Sequence, residues 1–228
     1  MHSPHPAPTT PPEAGPPAGP VRTGSLLVGL FAVLLFLVTI AWSPLIAFDR
    51  SVADGLHVWA VEDPGLVRVN RVLSDWVWDP WTMRALIAVA VVWLWWRSER
   101  LLAVWVAATS AVGTFLQQGL KSAVGRERPE WPDPVDSAHF SAFPSGHAMT
   151  AMVTCVTVLW LLRRHGVEGQ WWLWAVVVAV LSVVGVGLTR LYLGVHWPTD
   201  VLGGWLLGAG WVAFSVTAYE RTVLSRQH

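Results

Sequence analysis

Six apolar stretches set the limits on this chain. They fall at residues 25–41, 81–96, 101–120, 146–162, 171–188 and 201–218, each near the ~20 residues that cross ~30 Å of hydrocarbon at ~1.5 Å per helical residue. A backbone in lipid must satisfy its own N–H and C=O groups, so runs of this length predict helices. Six of them predict an all-α fold, a six-transmembrane-helix bundle. The charge content agrees: only 13% of the 228 residues are charged, against about a quarter in soluble domains. The second run is the weakest, because its uncharged core covers only 85–96 and Arg84 must snorkel or face the bundle. Trp42, Trp81, Trp96, Trp171, Trp172 and Trp197 lie near predicted helix ends, as aromatic belts do.

The remaining segments have different characters. Residues 1–24 hold eight of the sixteen prolines, a composition that predicts a disordered tail. The first apolar run has neither a basic cluster before it nor an A-x-A-like site after it, so it reads as an uncleaved helix and not a signal peptide. Residues 48–80 mix charge, Trp and Pro, and are expected to form an interfacial hairpin or short helices between spans one and two. The domain plan is thus a tail at 1–24, one membrane domain at 25–219 and a second tail at 220–228. Cys155 is the single cysteine, so no disulfide shapes the fold. The formal net charge is zero, and no global field points to nucleic acid.

Orientation follows from the connections. One side carries seven arginines (22, 97, 100, 163, 164, 221 and 226) against four acids, and the other eight cations against eleven acids. The first set sits in short loops hard against helix ends, which places both termini in the cytoplasm.

Three polar clusters interrupt the apolar pattern: KSAVGRERP at 121–129, FPSGH at 143–147, and TRLYLGVHWPTD at 189–200. In an up-down bundle the end of span three, the start of four, the end of five and the start of six share one side. The clusters therefore converge on one membrane face, the extracytoplasmic one, although they spread over 80 positions.

Such residues suit phosphoryl transfer, where a negative group is held while charge moves through an in-line transition state. Lys121, Arg128 and Arg190 offer cations for phosphate oxygens. Ser145 and Gly146 precede span four, whose unpaired N–H groups and helix dipole suit an anion. No metal or cofactor is expected: the cations can neutralise the oxyanion, and the acids near the clusters do not recur with ligand spacing. His196 lies four residues before Asp200, close enough for the carboxylate to fix the ring tautomer and free the other nitrogen to attack phosphorus. His147 is then available to protonate the leaving oxygen and to activate water.

These residues resemble the type 2 phosphatidic acid phosphatase superfamily, which also contains the vanadium haloperoxidases. All three signature motifs are present in order across residues 121–204, with Thr189 where the motif is usually written with Ser. The resemblance implies that Lys121, Arg128 and Arg190 bind phosphate, that Ser145 and Gly146 assist, and that His147 is the acid. It makes His196 the nucleophile and Asp200 its orienting partner. It further implies hydrolysis of a lipid phosphate without Mg²⁺. Undecaprenyl diphosphate is the favoured substrate; phosphatidic acid, phosphatidylglycerol phosphate and phosphate transfer to an acceptor alcohol are the alternatives. The expected partners are the lipid substrate, the bilayer and possible further copies of the chain.

Other polar residues have plainer readings. His57 is an interfacial structural side chain; His165 is solvated, as are Glu127, Asp133 and Asp136; His139 lies in the loop where it can line the entrance. Gly113, Gly119, Gly185, Gly187, Gly203, Gly204, Gly208 and Gly210 are close-packing positions between helices.

Overall fold

The computed structural model describes residues 18–226. Among them it is all-helical, with no strand: α1 (Ala18–Thr39), α2 (Ser43–Glu62), α3 (Pro64–Val72), a π-helical turn (Leu73–Val77), α4 (Pro80–Trp96), α5 (Arg100–Val124), α6 (Gly146–Arg164), α7 (Gly169–Tyr192) and α8 (Pro198–Leu224). Six apolar runs within these helices are long enough to span a bilayer: Val21–Thr39, Pro64–Trp96, Arg100–Val124, Gly146–Arg164, Gly169–Tyr192 and Pro198–Leu224.

The helix starts follow from local chemistry. Proline stands at the first position of α3, α4 and α8, where its missing N–H is one of the donors a helix leaves free anyway. Asp63 caps α3 by accepting from Leu66 N at 2.9 Å, and Asp79 caps α4 by accepting from Trp81 N at 2.6 Å. The helix α5 stops at Gly125, whose φ of 61° is the left-handed conformation that glycine adopts without strain.

Several boundaries differ from the sequence expectation. Residues 18–24 were assigned to the proline-rich tail, yet α1 begins at Ala18. Pro20 falls within its first turn, where proline is compatible with a helix, and Gly24 lies against Ala213 and Phe214 of α8. The rest of that predicted tail lies outside the described residues. At the other end α8 runs through Glu220 to Leu224, into the second predicted tail. Just before that boundary Tyr219 is buried between Trp105 and Trp160, and Arg164 stands 5.2 Å from its ring. Residues 189–192 close α7 and do not start the connection to α8.

Core packing positions the helices that carry polar residues. Phe31, Leu34 and Val38 of α1 meet Leu207 and Val212 of α8, together with Phe143, Met149 and Val153. A Cβ placed on Gly204 would stand 2.7 Å from Ser145 O and 3.0 Å from Met149 N, so α6 and α8 touch backbone to backbone. Gly208 continues the contact against Met149 O. Gly119 departs from the packing role expected of it, having nothing within 4 Å. Polar pairs join α5 to α8 in the apolar interior: Trp211 Nε1 donates to Thr109 O at 2.8 Å and Trp105 Nε1 to Ser215 O at 3.0 Å.

These two glycines make opposite predictions. Gly204→Ala is expected to destabilise the protein by roughly 1–3 kcal/mol through overpacking, whereas Gly119→Ala gains helix propensity and is expected to raise stability slightly. Thermal unfolding midpoints in detergent check both; equal shifts of the same sign would contradict the close approach of α6 and α8.

Candidate active site

The end of α5, the start of α6, the end of α7 and the approach to α8 meet at one end of the bundle, as helix parity requires. They enclose a cavity of about 590 Å³ whose walls include Lys121, Arg128, Gly146, His147, Arg190 and His196. Six of the eight site residues expected from sequence thus face one space. Asp200 lies directly behind His196. Ser145 does not line the cavity: its side chain is fully buried, its hydroxyl has no hydrogen-bond partner, and its N–H donates to Asp200 O at 2.9 Å. Its observed role is to join the start of α6 to that of α8. Thr189 also turns away, donating its hydroxyl to Val186 O within α7.

His196 precedes Pro198, and the two partners meet across the turn. Its Nδ1 is 3.2 Å from Asp200 Oδ2, and its Nε2 is 3.1 Å from Arg128 Nη1. A guanidinium only donates, so Nε2 must accept and the proton must sit on Nδ1, donating to the carboxylate. The geometry therefore fixes the tautomer, leaving the Nε2 lone pair on the side of Arg128. Burial, then the positive charges of Arg128, Arg190, Lys121 and Arg126, hold the His196 imidazole well below its ordinary pKa. The ring stays neutral as pH falls through the usual imidazole range, so the Nε2 lone pair that faces Arg128 is not taken by a proton there.

The cations are held ready by backbone oxygens and, for Arg190, by a hydroxyl. Lys121 donates to Ser141 O, and at 3.5 Å to Ala142 O. Arg128 also reaches Val195 O at 2.5 Å, Phe140 O at 2.9 Å and His139 O at 3.1 Å. Arg190, buried near the end of α7, donates to Ser74 Oγ at 2.7 Å. His139 is among the cavity walls, as are Arg84, Gln117 and Gln118. Arg84 therefore faces the bundle.

A second set of residues was not singled out from the sequence. Arg126, two positions before Arg128, donates from Nη1 to Asp200 Oδ1 at 2.6 Å and from Nη2 to Asp49 Oδ2 at 2.6 Å. Asp49, on α2 and 1% exposed, also accepts from Thr199 N at 3.0 Å and Thr199 Oγ1 at 2.6 Å. The result is a buried chain, Asp49–Arg126–Asp200–His196, in which Asp200 Oδ2 also accepts from Trp197 N at 2.9 Å. Arg126 lies inside the first motif, which was the available signal. Asp49 carried none, because its partners are 77 and 150 positions away.

Other readings are refined. His57 is buried, bonded through Nε2 to Asp133 Oδ1 at 3.0 Å and stacked on Trp131 at 4.0 Å, so its structural assignment agrees with the geometry. Trp131 Nε1 donates to Gly194 O at 2.9 Å, and the φ of 67° at Gly194 lets the indole approach. Together they strap the α5–α6 loop over the site. His165, expected to be solvated, instead contacts Leu161 O at 2.8 Å and Glu99 Oε1 at 3.1 Å. Among the described residues no three His, Cys, Asp or Glu side chains are grouped to hold a metal.

Comparison with known proteins bears on the family and the fold. The family model described as the PAP2 superfamily matches residues 101–223. An undecaprenyl-diphosphatase of Sulfolobus acidocaldarius is 25% identical over 207 residues, 83% of this chain and 90% of the relative. Phosphatidylglycerophosphatase B of Bacillus subtilis is 40% identical over 95 residues, 41% of this chain and 46% of that relative, so the match spans about half its length. The crystal structure of a transmembrane PAP2-type phosphatidylglycerolphosphate phosphatase from Bacillus subtilis superposes with a TM-score of 0.73 at 22% identity, covering 87% of this chain and 96% of that one. That likeness is one of fold.

Breaking a buried ion pair by removing one partner leaves the other charge uncompensated, at about 3–5 kcal/mol. Asp49→Ala is therefore expected to destabilise the protein by about that amount, read from thermal unfolding in detergent. A loss within that of an exposed-site variant such as Asp54→Ala would contradict the chain of contacts through Arg126.

Proposed function

Because the chain belongs to the PAP2 superfamily, we propose that its cavity removes the terminal phosphate of a membrane lipid phosphate through a phosphohistidine on His196. The chain is a multi-pass membrane protein and a lipid phosphate hydrolase. The observation that carries the finer reading is the fixed tautomer of His196, whose Nε2 meets Arg128 on the wall that also bears Lys121, Arg190 and His147.

In the proposed reaction the substrate's phosphoryl oxygens take over the Arg128 N–H that His196 Nε2 accepts in the free site, and the released lone pair attacks phosphorus while the bond to the leaving oxygen breaks in line. That oxygen keeps the bonding electrons and takes a proton from His147. Lys121, Arg128 and Arg190 hold the phosphoryl oxygens, and the N–H groups at the start of α6, around Gly146, add helix-dipole stabilisation. Attack puts positive charge on the ring, which Asp200 offsets through the Nδ1 proton. Water, deprotonated by His147, then cleaves the phosphorus–nitrogen bond and restores neutral His196. Charge compensation comes throughout from side chains of this chain, so no step requires a divalent metal.

Undecaprenyl diphosphate is the substrate we favour. What supports it is that the sequence similarity to the Sulfolobus acidocaldarius undecaprenyl-diphosphatase extends over most of both chains; the sequence match to phosphatidylglycerophosphatase B is higher in identity but confined to 95 residues, and the phosphatidylglycerolphosphate phosphatase structure shares the fold over most of both chains. The arginines in the short loops favour a cytoplasmic side for both termini; on that reading the cavity opens at the extracytoplasmic face, within reach of a lipid carrier there.

Release of inorganic phosphate from undecaprenyl diphosphate, phosphatidylglycerol phosphate and phosphatidic acid, measured on purified protein, tests the proposal. Turnover is expected on the diphosphate, in EDTA, with a loss of roughly 10⁴-fold or more in His196→Ala. The kcat/KM of the wild type should not fall as pH drops through about 6.5, because burial already keeps His196 neutral there while the proton that His147 must supply becomes more available. Substantial activity in His196→Ala, or a requirement for Mg²⁺, would exclude the mechanism.

A further inference from the structure

The phosphate cavity contains donors that the three motifs leave unused. Arg84 Nε, Gln117 Nε2 and Arg190 Nε are all buried without a hydrogen-bond partner, and all three residues line it. Arg190 belongs to the third motif; Arg84 and Gln117 belong to none. Gln117, 4% exposed, lies one turn before Lys121 on the same face of α5. Its amide sits against the first residue of α6, since a Cβ on Gly146 would meet Nε2 at 3.2 Å. Arg84 lies one turn into α4, its guanidinium 5.4 Å from the centre of the Trp81 ring. Among the described residues no carboxylate stands within ion-pair distance of it.

A buried donor without a partner costs about 1–3 kcal/mol, and an arginine within a membrane span faces a cavity or a partner. Both conditions are met if an anion completes these groups. Three acids line the same cavity and none pairs with Arg84: Asp79 Oδ2 is engaged by Trp81 N, Asp136 faces Arg71 at 3.9 Å, and Asp75 is exposed and makes no ion pair among the described residues. The space of about 590 Å³ also exceeds what one phosphate group fills.

We propose that Arg84 and Gln117 form a second anion subsite beside the reacting phosphate, holding the lipid-linked phosphate of a diphosphate substrate. The inference rests on the phosphatase reading above. Attack by His196 on the terminal phosphorus breaks its bond to the bridging oxygen, which keeps the electron pair and takes the proton from His147. The leaving group is a lipid monophosphate. Arg84 offsets its charge and the Gln117 amide donates to one of its oxygens, so both act more strongly on a diphosphate than on a monophosphate.

Farnesyl diphosphate and farnesyl monophosphate, assayed in parallel with the full chain in detergent, test the subsite. Arg84→Gln is expected to lower kcat/KM for the diphosphate by about tenfold or more beyond its effect on the monophosphate. Arg84→Lys should recover part of that preference. Gln117→Leu should shift the ratio in the same direction, and serves if Arg84→Gln fails to fold. Inorganic pyrophosphate should also lose more inhibitory strength than inorganic phosphate in these variants. Diphosphate turnover whose ratio to the monophosphate stays within twofold of wild type in both variants overturns the subsite and leaves the phosphatase reading standing. Wild-type turnover of the monophosphate alone overturns the subsite and the diphosphate substrate together.

Discussion

The buried ion chain from Asp49 through Arg126 to Asp200 is the constraint on which the site depends. Asp200 has no exposed surface, and a carboxylate in that position stays charged only with close partners. Arg126 supplies one at 2.6 Å, Trp197 N another at 2.9 Å, and the remaining interaction goes to His196 Nδ1. Asp49 in turn offsets the charge of Arg126 and accepts both the N–H and the hydroxyl of Thr199, which anchors the first turn of α8. A histidine outside the helix is thereby held with one tautomer and one orientation.

The membrane bundle supplies what this chain of contacts needs. Close approach of α6 and α8 at Gly204 brings the start of α6, and with it His147, to the start of α8. The bond from Ser145 N to Asp200 O ties the same two points together. Apolar packing between α1 and α8 supports the arrangement from the other side. Polar groups are concentrated at one end, where the α5–α6 loop is strapped down by Trp131, His57 and Asp133. The low-dielectric interior that makes an unpaired charge expensive also strengthens the charges arranged around the cavity.

Much of this was legible in the sequence for a specific reason. Apolar run length fixes the number of spans, the number of spans fixes which ends share a side, and that puts Lys121, His147, Arg190 and His196 on one side, where helix packing brings them together. Local spacing pairs His196 with Asp200, since four residues across a proline-started turn leave few other geometries. Asp49 was not legible, because nothing in residues 43–62 announces a partner 77 positions away. Ser145 illustrates the opposite failure: a position before a helix marks an anion site, but the backbone, and not the residue type, decides where the hydroxyl points. The tail boundaries at Ala18 and Leu224 were missed because composition describes solubility better than it describes a helix that continues along a neighbour.

The most direct measurement is a structure of the protein with orthovanadate, whose trigonal bipyramidal form imitates the phosphoryl group in transfer. The vanadium should be bonded at one apex to His196 Nε2, with its equatorial oxygens held by Lys121, Arg128 and Arg190 and its other apical oxygen facing His147. Vanadate bound through His147, or seated away from both histidines, would contradict the assignment of His196 as the nucleophile.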